Sequence, residues 1–305
     1  MKNIIINYNL KEIQKDTQKT EKSKDELIEL SKKEDLSPPS IITNEKPHEE
    51  LSFELTNALD IFLESKRNLE NSMEKENLPF KISEVIRCDF RIFKILGDIY
   101  FCKNDIKRAL KLYLKAYFFE PSKKIVVNAI GVCYGHLKDY KNTIIYVNKA
   151  LEIDPNYIDA WNNKGICLGQ LKRYEAAIEC FEKALEIDPN YKEAWYIIGI
   201  CYYFLNKYKE AIECYDKALE IDPNYKIAWY NMGNSLDALK KYEAAIECFE
   251  KALEIDPNYK IAWYAMGNSL VALKKYKQAV ECYTKTLEID PNHEQALNKI
   301  LFLKY

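Results

Sequence analysis

Between residues 90 and 293 the apolar residues recur at helical spacing, as pairs of stripes separated by short polar turns. Trp195 and Tyr202 lie at positions i and i+7, which places them on one face of a first helix. Ala211 and Tyr215 belong to a second stripe at i and i+4, after a turn too short to hold another element. This pattern predicts two antiparallel helices joined by a tight turn, a helical hairpin.

Residues that punctuate the stripes repeat along the same stretch with a fixed period of 34 residues. Six prolines keep this period: Pro121, Pro155, Pro189, Pro223, Pro257 and Pro291. Six glycines keep it as well (Gly97, Gly131, Gly165, Gly199, Gly233 and Gly267), and so do the tryptophans Trp161, Trp195, Trp229 and Trp263. A fixed period of this length predicts a stacked array in which each hairpin buries its second apolar face against its neighbours.

Composition narrows the classes of function. The chain has 305 residues with 45 Lys and Arg against 47 Asp and Glu, so it lacks the basic excess that drives binding to nucleic acid. Its apolar runs are far shorter than the roughly 18 residues of a membrane-spanning helix, and the N-terminus lacks the pattern of a signal peptide. We therefore expect a cytoplasmic protein that binds neither nucleic acid nor membranes.

Residue types with catalytic or metal-binding chemistry are scarce. The three histidines, His48, His136 and His293, are scattered, and no Gly-rich phosphate-binding loop occurs. Most cysteines follow the period in two series, Cys133, Cys167 and Cys201, then Cys180, Cys214, Cys248 and Cys282. Equivalent positions on stacked helices lie about 8–10 Å apart, so small packing residues are favoured, with Cys167–Cys180 and Cys201–Cys214 as a minor redox alternative. We expect no catalysis, no cofactor and no metal.

The order Trp-x2-Leu-Gly-x2-Tyr, then Ala-x3-Phe, then Ala and Pro, resembles the tetratricopeptide repeat. The resemblance implies an all-α, right-handed α-α superhelical solenoid of helix-turn-helix repeats. Six units carry it: 90–123, 124–157, 158–191, 192–225, 226–259 and 260–293. Unit 124–157 is the weakest match, and Lys164 and Thr286 replace the usual Leu and Ala without changing the predicted fold.

The remaining segments are interpreted around this array, which occupies residues 83–293. Residues 1–48 are balanced in charge and lack sustained periodicity, which predicts a flexible charged tail. Residues 49–82 are expected to form an N-terminal amphipathic capping helix and a linker. Residues 294–305 begin like another first helix and are expected to cap the C-terminal end. Because this cap carries apolar residues such as Phe302, it also suggests self-association through the cap.

In the resembled family the first helices line a concave groove that binds a protein or peptide. Carried onto this sequence, the groove positions predict these partner-binding residues: Asn162, Asn163, Tyr196, Ile200, Tyr203, Phe204, Tyr230, Asn231, Asn234, Tyr264 and Asn268. The tyrosines are expected to stand free of the packing, so that Tyr230→Ala leaves melting nearly unchanged. Family members that bind acidic C-terminal tails need Lys at the fifth and Asn at the ninth place of a repeat. Here Lys94 is at the fifth place, but Asp98 is at the ninth, which disfavours such a carboxylate clamp.

We thus expect a non-catalytic protein–protein interaction scaffold that binds a peptide or a partner helix in this neutral groove of phenol rings and amides. Three alternatives stay open. In the first, the groove is filled by the chain's own N-terminal segment, or its tyrosines are only surface residues copied by duplication. In the second, the protein is a self-assembling structural module. In the third, it is an accessory domain of an enzyme complex.

Charge also follows the repeat. Basic residues lie at the turn within each hairpin: Lys138, Lys172, Arg173, Lys207, Lys240, Lys241, Lys274 and Lys275. Acidic residues, such as Glu220 and Asp222, lie at the turns between hairpins, on the opposite edge. Two opposed edges of this kind would orient an acidic partner or stack copies of the chain, although exposed charges are heavily screened and a solvated surface is the simpler interpretation.

Overall fold

The computed structural model describes residues 82–304, with side chains placed from residue 90 to residue 303. This part of the chain forms thirteen α-helices and no strand. In chain order they are α1 (Ile82–Cys102), α2 (Ile106–Phe119), α3 (Lys124–His136), α4 (Tyr140–Ile153), α5 (Ile158–Gln170), α6 (Tyr174–Ile187), α7 (Lys192–Phe204), α8 (Tyr208–Ile221), α9 (Lys226–Ala238), α10 (Tyr242–Ile255), α11 (Lys260–Ala272), α12 (Tyr276–Ile289) and α13 (Glu294–Lys304). Odd-numbered helices up to α11 are the first helices of the predicted hairpins, and even-numbered helices are the second.

The turns at the two ends of a hairpin are built differently. Within each hairpin, one non-glycine residue has a left-handed φ of 58–60°: Asn104, Lys138, Lys172, Asn206, Lys240 and Lys274. Between hairpins, the Asp-Pro-Asn sequence stops one helix, because Pro cannot continue it, and shapes the entry to the next. There the Asp222 carboxylate accepts a hydrogen bond from the backbone N–H of Asn224 at 3.1 Å.

Close packing within a hairpin depends on a glycine of the first helix. A Cβ added at Gly199 would lie 2.5 Å from Cε1 of Tyr215, whose ring is fully buried. The same approach, at 2.6 Å, recurs for Gly97, Gly165, Gly233 and Gly267 against Tyr113, Phe181, Phe249 and Tyr283. The glycine lets the two helices approach until the ring fills the space between them, which explains its place in the period.

The described part of the chain divides into two compact units, one up to residue 133 and the other from residue 134 onward. In the first unit α1 packs against α2, and Tyr113 Oη donates a hydrogen bond to Asp98 at 2.7 Å. In the second unit each helix from α4 onward packs against the next, and α9 also contacts α7 and α11 directly. This arrangement is the all-α solenoid that the period predicts.

The ends of the array only partly fall within the described residues. The predicted tail 1–48 lies outside them, and so does the predicted capping segment 49–82 apart from its last residue. Helix α1 begins at Ile82, earlier than the predicted first unit at residue 90. At the other end α13 packs on α12 and buries Ala296 and Ile300.

The described residues also bear on membrane-spanning helices and on the cysteines. No described helix is long and apolar enough to span a membrane. The eight described cysteines all carry free thiols, and seven of them are buried, as expected for packing residues. Neither Cys167 with Cys180 nor Cys201 with Cys214 forms a disulfide.

Candidate partner-binding site

The predicted site lies on the first helices α5, α7, α9 and α11, all within the second compact unit. Because α9 contacts both α7 and α11, residues at equivalent positions of these three helices lie side by side. All the predicted site residues except Asn162 keep part of their surface accessible. The predicted faces of α7, α9 and α11 are therefore neighbours, and the surroundings of each side chain determine what it can bind.

The tyrosines of these faces take part in the packing of the array. The Tyr196 ring lies 6.0 Å, between centroids, from Tyr215 of its own hairpin and 5.2 Å from Tyr225 at the start of the next. Tyr230 repeats this arrangement, 6.0 Å from Phe249 and 5.6 Å from Tyr259. The expectation that these rings stand free of the packing is wrong, because each one bridges two consecutive hairpins.

The third tyrosine follows the same rule with one change. Tyr264 lies 5.7 Å from the Tyr283 ring, and 5.0 Å from His293, which occupies the place that Tyr225 and Tyr259 hold in earlier hairpins. Loss of the ring should therefore lower stability at each of the three tyrosine positions. All three rings are half-buried.

Amide side chains connect the same faces. Asn231 Nδ2 donates hydrogen bonds to Tyr196 Oη and to the backbone carbonyl of Ile227, each at 3.0 Å. Asn268 Oδ1 accepts a hydrogen bond from Tyr283 Oη at 2.9 Å. These two amides thus serve the packing as well as the surface.

Asn162 differs from the other predicted residues. Its side chain is only 1% exposed, so it does not present a surface for a partner as the sequence had suggested. Its Oδ1 atom is buried and makes no hydrogen bond within the described residues. The position equivalent to the tyrosines is therefore filled by a smaller side chain in this hairpin, inside the packing.

Helix α7 carries the most accessible apolar surface of the site. The Phe204 ring is 57% exposed although it stacks on Tyr174, with ring centroids 5.3 Å apart. Tyr203 contacts Phe204 edge-on at 5.9 Å and Tyr208 at 5.4 Å. Ile200 on the same helix is half-buried. These rings form an aromatic surface at the C-terminal end of α7, where an apolar side chain of a partner would fit.

Several residues of this region escaped the sequence interpretation. Tyr174 and Tyr208 open second helices; Tyr208 contacts Tyr203 of its own hairpin, whereas the contact of Tyr174 with Phe204 depends on how neighbouring hairpins stack. Ser269 Oγ is buried and donates a short hydrogen bond, 2.5 Å, to Asp237 Oδ1, which joins α11 to α9. The only signal in the sequence is that a tyrosine opens every second helix from α4 onward.

Two phenols of the site have a raised pKa. Burial raises the pKa of Tyr196 above its ordinary value, and the hydrogen bond from Asn231 opposes this only in part. The pKa of Tyr203 is raised as well, first by burial and then by the neighbouring Tyr208, Tyr230 and Asp237. Both hydroxyl groups therefore stay protonated at neutral pH and can donate hydrogen bonds. Among the described residues, no three His, Cys, Asp or Glu side chains are grouped to hold a metal ion.

Two family models, both described as tetratricopeptide repeat, match the chain at residues 126–157, 158–191, 193–225, 227–259 and 261–293. Together these matches cover more than half of the sequence. The chain belongs to the tetratricopeptide repeat family. No curated protein matches it in sequence.

Several solved tetratricopeptide structures share the fold. The crystal structure of MamA is 25% identical, covers 54% of this chain and 97% of its own, and gives a TM-score of 0.51. YrrB, described as a TPR protein with an unusual peptide-binding site, is 24% identical, with coverages of 61% and 96% and a TM-score of 0.52. PilF of Pseudomonas aeruginosa is 19% identical, with coverages of 70% and 97% and a TM-score of 0.60. The likenesses under 25% identity show the fold alone.

The family models leave unit 90–123 unmatched. In this unit Gly97 of the first helix approaches Tyr113 of the second, as the corresponding glycines do in later hairpins. In the same unit Lys94 Nζ donates a hydrogen bond to Asp98 at 2.7 Å. Lys94, at the place of a carboxylate clamp's lysine, is thus paired within the chain.

Proposed function

We propose that this tetratricopeptide protein is a non-catalytic scaffold that binds a peptide or a partner helix on the first-helix faces of α7, α9 and α11. The family and the fold support a role in protein interaction. The observation that carries the proposal is the aromatic surface of α7, where Phe204 stays 57% exposed beside half-buried Ile200 and Tyr203. Exposed large apolar residues next to hydrogen-bonding phenols are typical of binding surfaces.

The proposed division of roles differs along the faces. Phe204, Tyr203 and Ile200 supply apolar contact area for a partner side chain. Asn234, which is half-buried on α9, and the phenol hydroxyl groups supply hydrogen bonds to a peptide backbone. Asn162 contributes to packing only. Asn163 and Asn268 extend the proposed surface to the neighbouring helices.

The experiment selects peptides that bind the full chain from a displayed library and then measures their affinity for variants. Phe204→Ala should weaken selected peptides by about tenfold or more, as expected for an anchor residue. Phe118→Ala is the matched control, because Phe118 is 79% exposed but lies on a second helix. If selected peptides respond equally to both changes, or to neither, the assignment of the binding face is wrong.

A second candidate function, self-assembly, is favoured by helix α13. Its Leu301 lies one period after Gly267 and is 48% exposed, and the adjacent Phe302 is 80% exposed. At five glycines that hold this place in earlier first helices, an added Cβ would lie 2.5–2.6 Å from an aromatic ring of the second helix, so a leucine here does not suit a second helix packed in the same way. A second copy of the chain would instead cover these apolar residues.

Light scattering after size-exclusion chromatography tests this candidate. The unmodified chain should form a dimer or larger assembly, and Leu301→Asp with Phe302→Asp should shift it to a monomer. Phe118→Asp, an equally polar change elsewhere, should leave the assembly intact. A monomer at all concentrations in the unmodified chain rules out self-assembly through α13.

A further inference from the structure

The turns within four consecutive hairpins, from 158–191 to 260–293, present a row of cations on one edge of the second compact unit. Seven side chains form this row, here called the basic edge: Lys172, Arg173, Lys207, Lys240, Lys241, Lys274 and Lys275. All seven are exposed. The three glutamates Glu175, Glu210 and Glu243 lie in the first turns of α6, α8 and α10, so the edge keeps an excess of positive charge.

The basic edge is not neutralised by the chain itself. None of its seven cations forms an ion pair with a described residue, whereas lysines elsewhere in the same unit do. Those pairs are Lys183–Glu186, Lys192–Asp222, Lys226–Asp256, Lys251–Glu254, Lys260–Asp290 and Lys285–Glu288. They join the ends of second helices or span the two ends of a repeat, on the side away from the basic edge. Ion pairs within the protein thus neutralise lysines elsewhere in this unit but none of the seven cations of the basic edge.

The cations also replace residues that would stabilise the helices. In the two earlier hairpins Asp105 and Asp139 cap the second helix by accepting a backbone hydrogen bond, at 3.1 and 3.2 Å. The next four caps are Arg173, Lys207, Lys241 and Lys275, and none of them makes a side-chain capping bond. A positive charge there also opposes the positive end of the helix dipole.

Backbone geometry shows that nothing local requires this exchange. The capping residue Asp139 has φ −88° and ψ 72°, and Lys241 has φ −90° and ψ 63°, so an aspartate would fit the later turns. The residue before the cap is another lysine in three of the four turns, at Lys172, Lys240 and Lys274, where the left-handed backbone favours glycine or asparagine. In these turns, two successive positions thus carry a positive charge where a residue that stabilises the turn or caps the helix would fit.

We propose that the basic edge binds an extended acidic segment of a partner protein. Residues that lower local stability and recur in neighbouring repeats point to a function of those residues. Helix α9 contacts both α7 and α11, and the axes of helices in contact lie about 8–10 Å apart, so we take a similar distance between successive turns. An extended chain covers this distance in about three residues. The geometry therefore selects a segment with an acidic residue at every third position.

The acidic edge of a second copy is a poorer occupant. Six of its carboxylates in this unit are engaged by the chain's own lysines, among them Asp222 by Lys192 at 2.6 Å and Glu254 by Lys251 at 2.8 Å. Stacking of copies through opposed edges would require breaking these pairs. A continuous phosphate chain also fits less well than a peptide, because the three first-turn glutamates interrupt the row of cations, whereas a peptide can place neutral residues beside them.

The test uses the full chain and a fluorescent peptide of about twelve residues, long enough to span four turns, with Glu at every third position. Fluorescence anisotropy measures the affinity at low and at moderate salt, because exposed charges are screened as salt rises. The combined change Lys240→Gln, Lys241→Gln, Lys274→Gln and Lys275→Gln should weaken binding by about tenfold or more. Phe118→Ala changes an exposed apolar residue of the first compact unit and should not affect this peptide.

The matched control removes the same charge from paired lysines: Lys183→Gln, Lys226→Gln, Lys251→Gln and Lys285→Gln. It should change the affinity by less than about twofold, as expected of charges distant from the peptide. Equal weakening in both variants, or tight binding of the same peptide with Lys in place of Glu, would overturn the proposal. So would tighter binding of single-stranded DNA or of phosphatidylserine vesicles at the same salt.

A peptide of equal composition with its glutamates in one block should bind more weakly, and equal binding would refute the spacing. Circular dichroism confirms that the variants fold, and the single change Lys275→Gln serves if the combined variant does not.

Discussion

Replacing Lys241 by Asp changes a single exposed residue at the start of helix α10, and it should stabilise the array. Asp139 shows the expected contact, since its Oδ1 accepts a hydrogen bond from the backbone N–H of Asn142 at 3.2 Å. The backbone angles at Lys241 match those at Asp139 closely enough for the same contact. Lys241 itself makes no ion pair with a described residue that the change would break.

The magnitude follows from two local effects. Gaining a side-chain cap is worth about 1 kcal/mol, within a range of about 0.5–2 kcal/mol. Exchanging a positive for a negative charge at the positive end of the helix dipole adds about 0.3–1 kcal/mol at low salt. We expect the free energy of unfolding to rise by about 1–2 kcal/mol, and the dipole contribution to shrink as salt is added.

Urea denaturation followed by circular dichroism measures this change, with Lys241→Gln separating the loss of positive charge from the gain of a cap. Because stability in a repeat array is a sum of repeat and interface contributions, the midpoint and slope are compared directly between variants. The reverse change, Asp139→Lys, should lower the free energy of unfolding by about the same amount. A Lys241→Asp protein no more stable than Lys241→Gln would refute the argument that the later turns give up a cap.

Three further outcomes follow from the packing. Gly199→Ala should destabilise by about 1–3 kcal/mol, because its Cβ would lie 2.5 Å from the buried Tyr215 ring, whereas Gly169→Ala, with nothing within 4 Å, should stabilise by up to about 1 kcal/mol; paired urea titrations decide this. Tyr230→Ala should lower the melting temperature clearly, since its ring bridges two hairpins, and unchanged melting would show that the ring contacts contribute little. Burial raises the pKa of the Cys214 thiol to about 12, so at pH 7.5 a thiol reagent should modify exposed Cys102 much faster, as mass spectrometry of timed samples would show.

Sequence periodicity was sufficient to predict the helices and their pairing. The positions of Gly199 and Tyr215 in the period placed the two helices of a hairpin face to face, and the structure shows their contact. The family pattern likewise located the first helices that carry the candidate site. These features depend on residues close together in sequence, within a single hairpin, where helical spacing determines which side chains share a face.

The environment of the tyrosines could not be read in this way. Tyr196 is covered by Tyr225, which belongs to the turn that ends its repeat and leads into the next. Whether a side chain at the fifth place of a repeat lies free or bridges two hairpins depends on the stacking distance and on the residue in that turn. Asn162 illustrates the second point, because its smaller side chain is enclosed where the tyrosines are only half-buried.

The basic edge shows how local rules and function separate in a repeat protein. Duplication of a hairpin copies its capping residue as well. The absence of a side-chain cap is shared by four consecutive hairpins and is therefore a common feature of them. Each such turn weakens its own helix by about 1 kcal/mol, which the neighbouring interfaces offset. A surface that only needed solubility could place its lysines on the outer faces of the second helices, where no cap is lost. The position of these cations at the helix starts is therefore the part of their arrangement that solubility leaves unexplained, and that an acidic ligand accounts for.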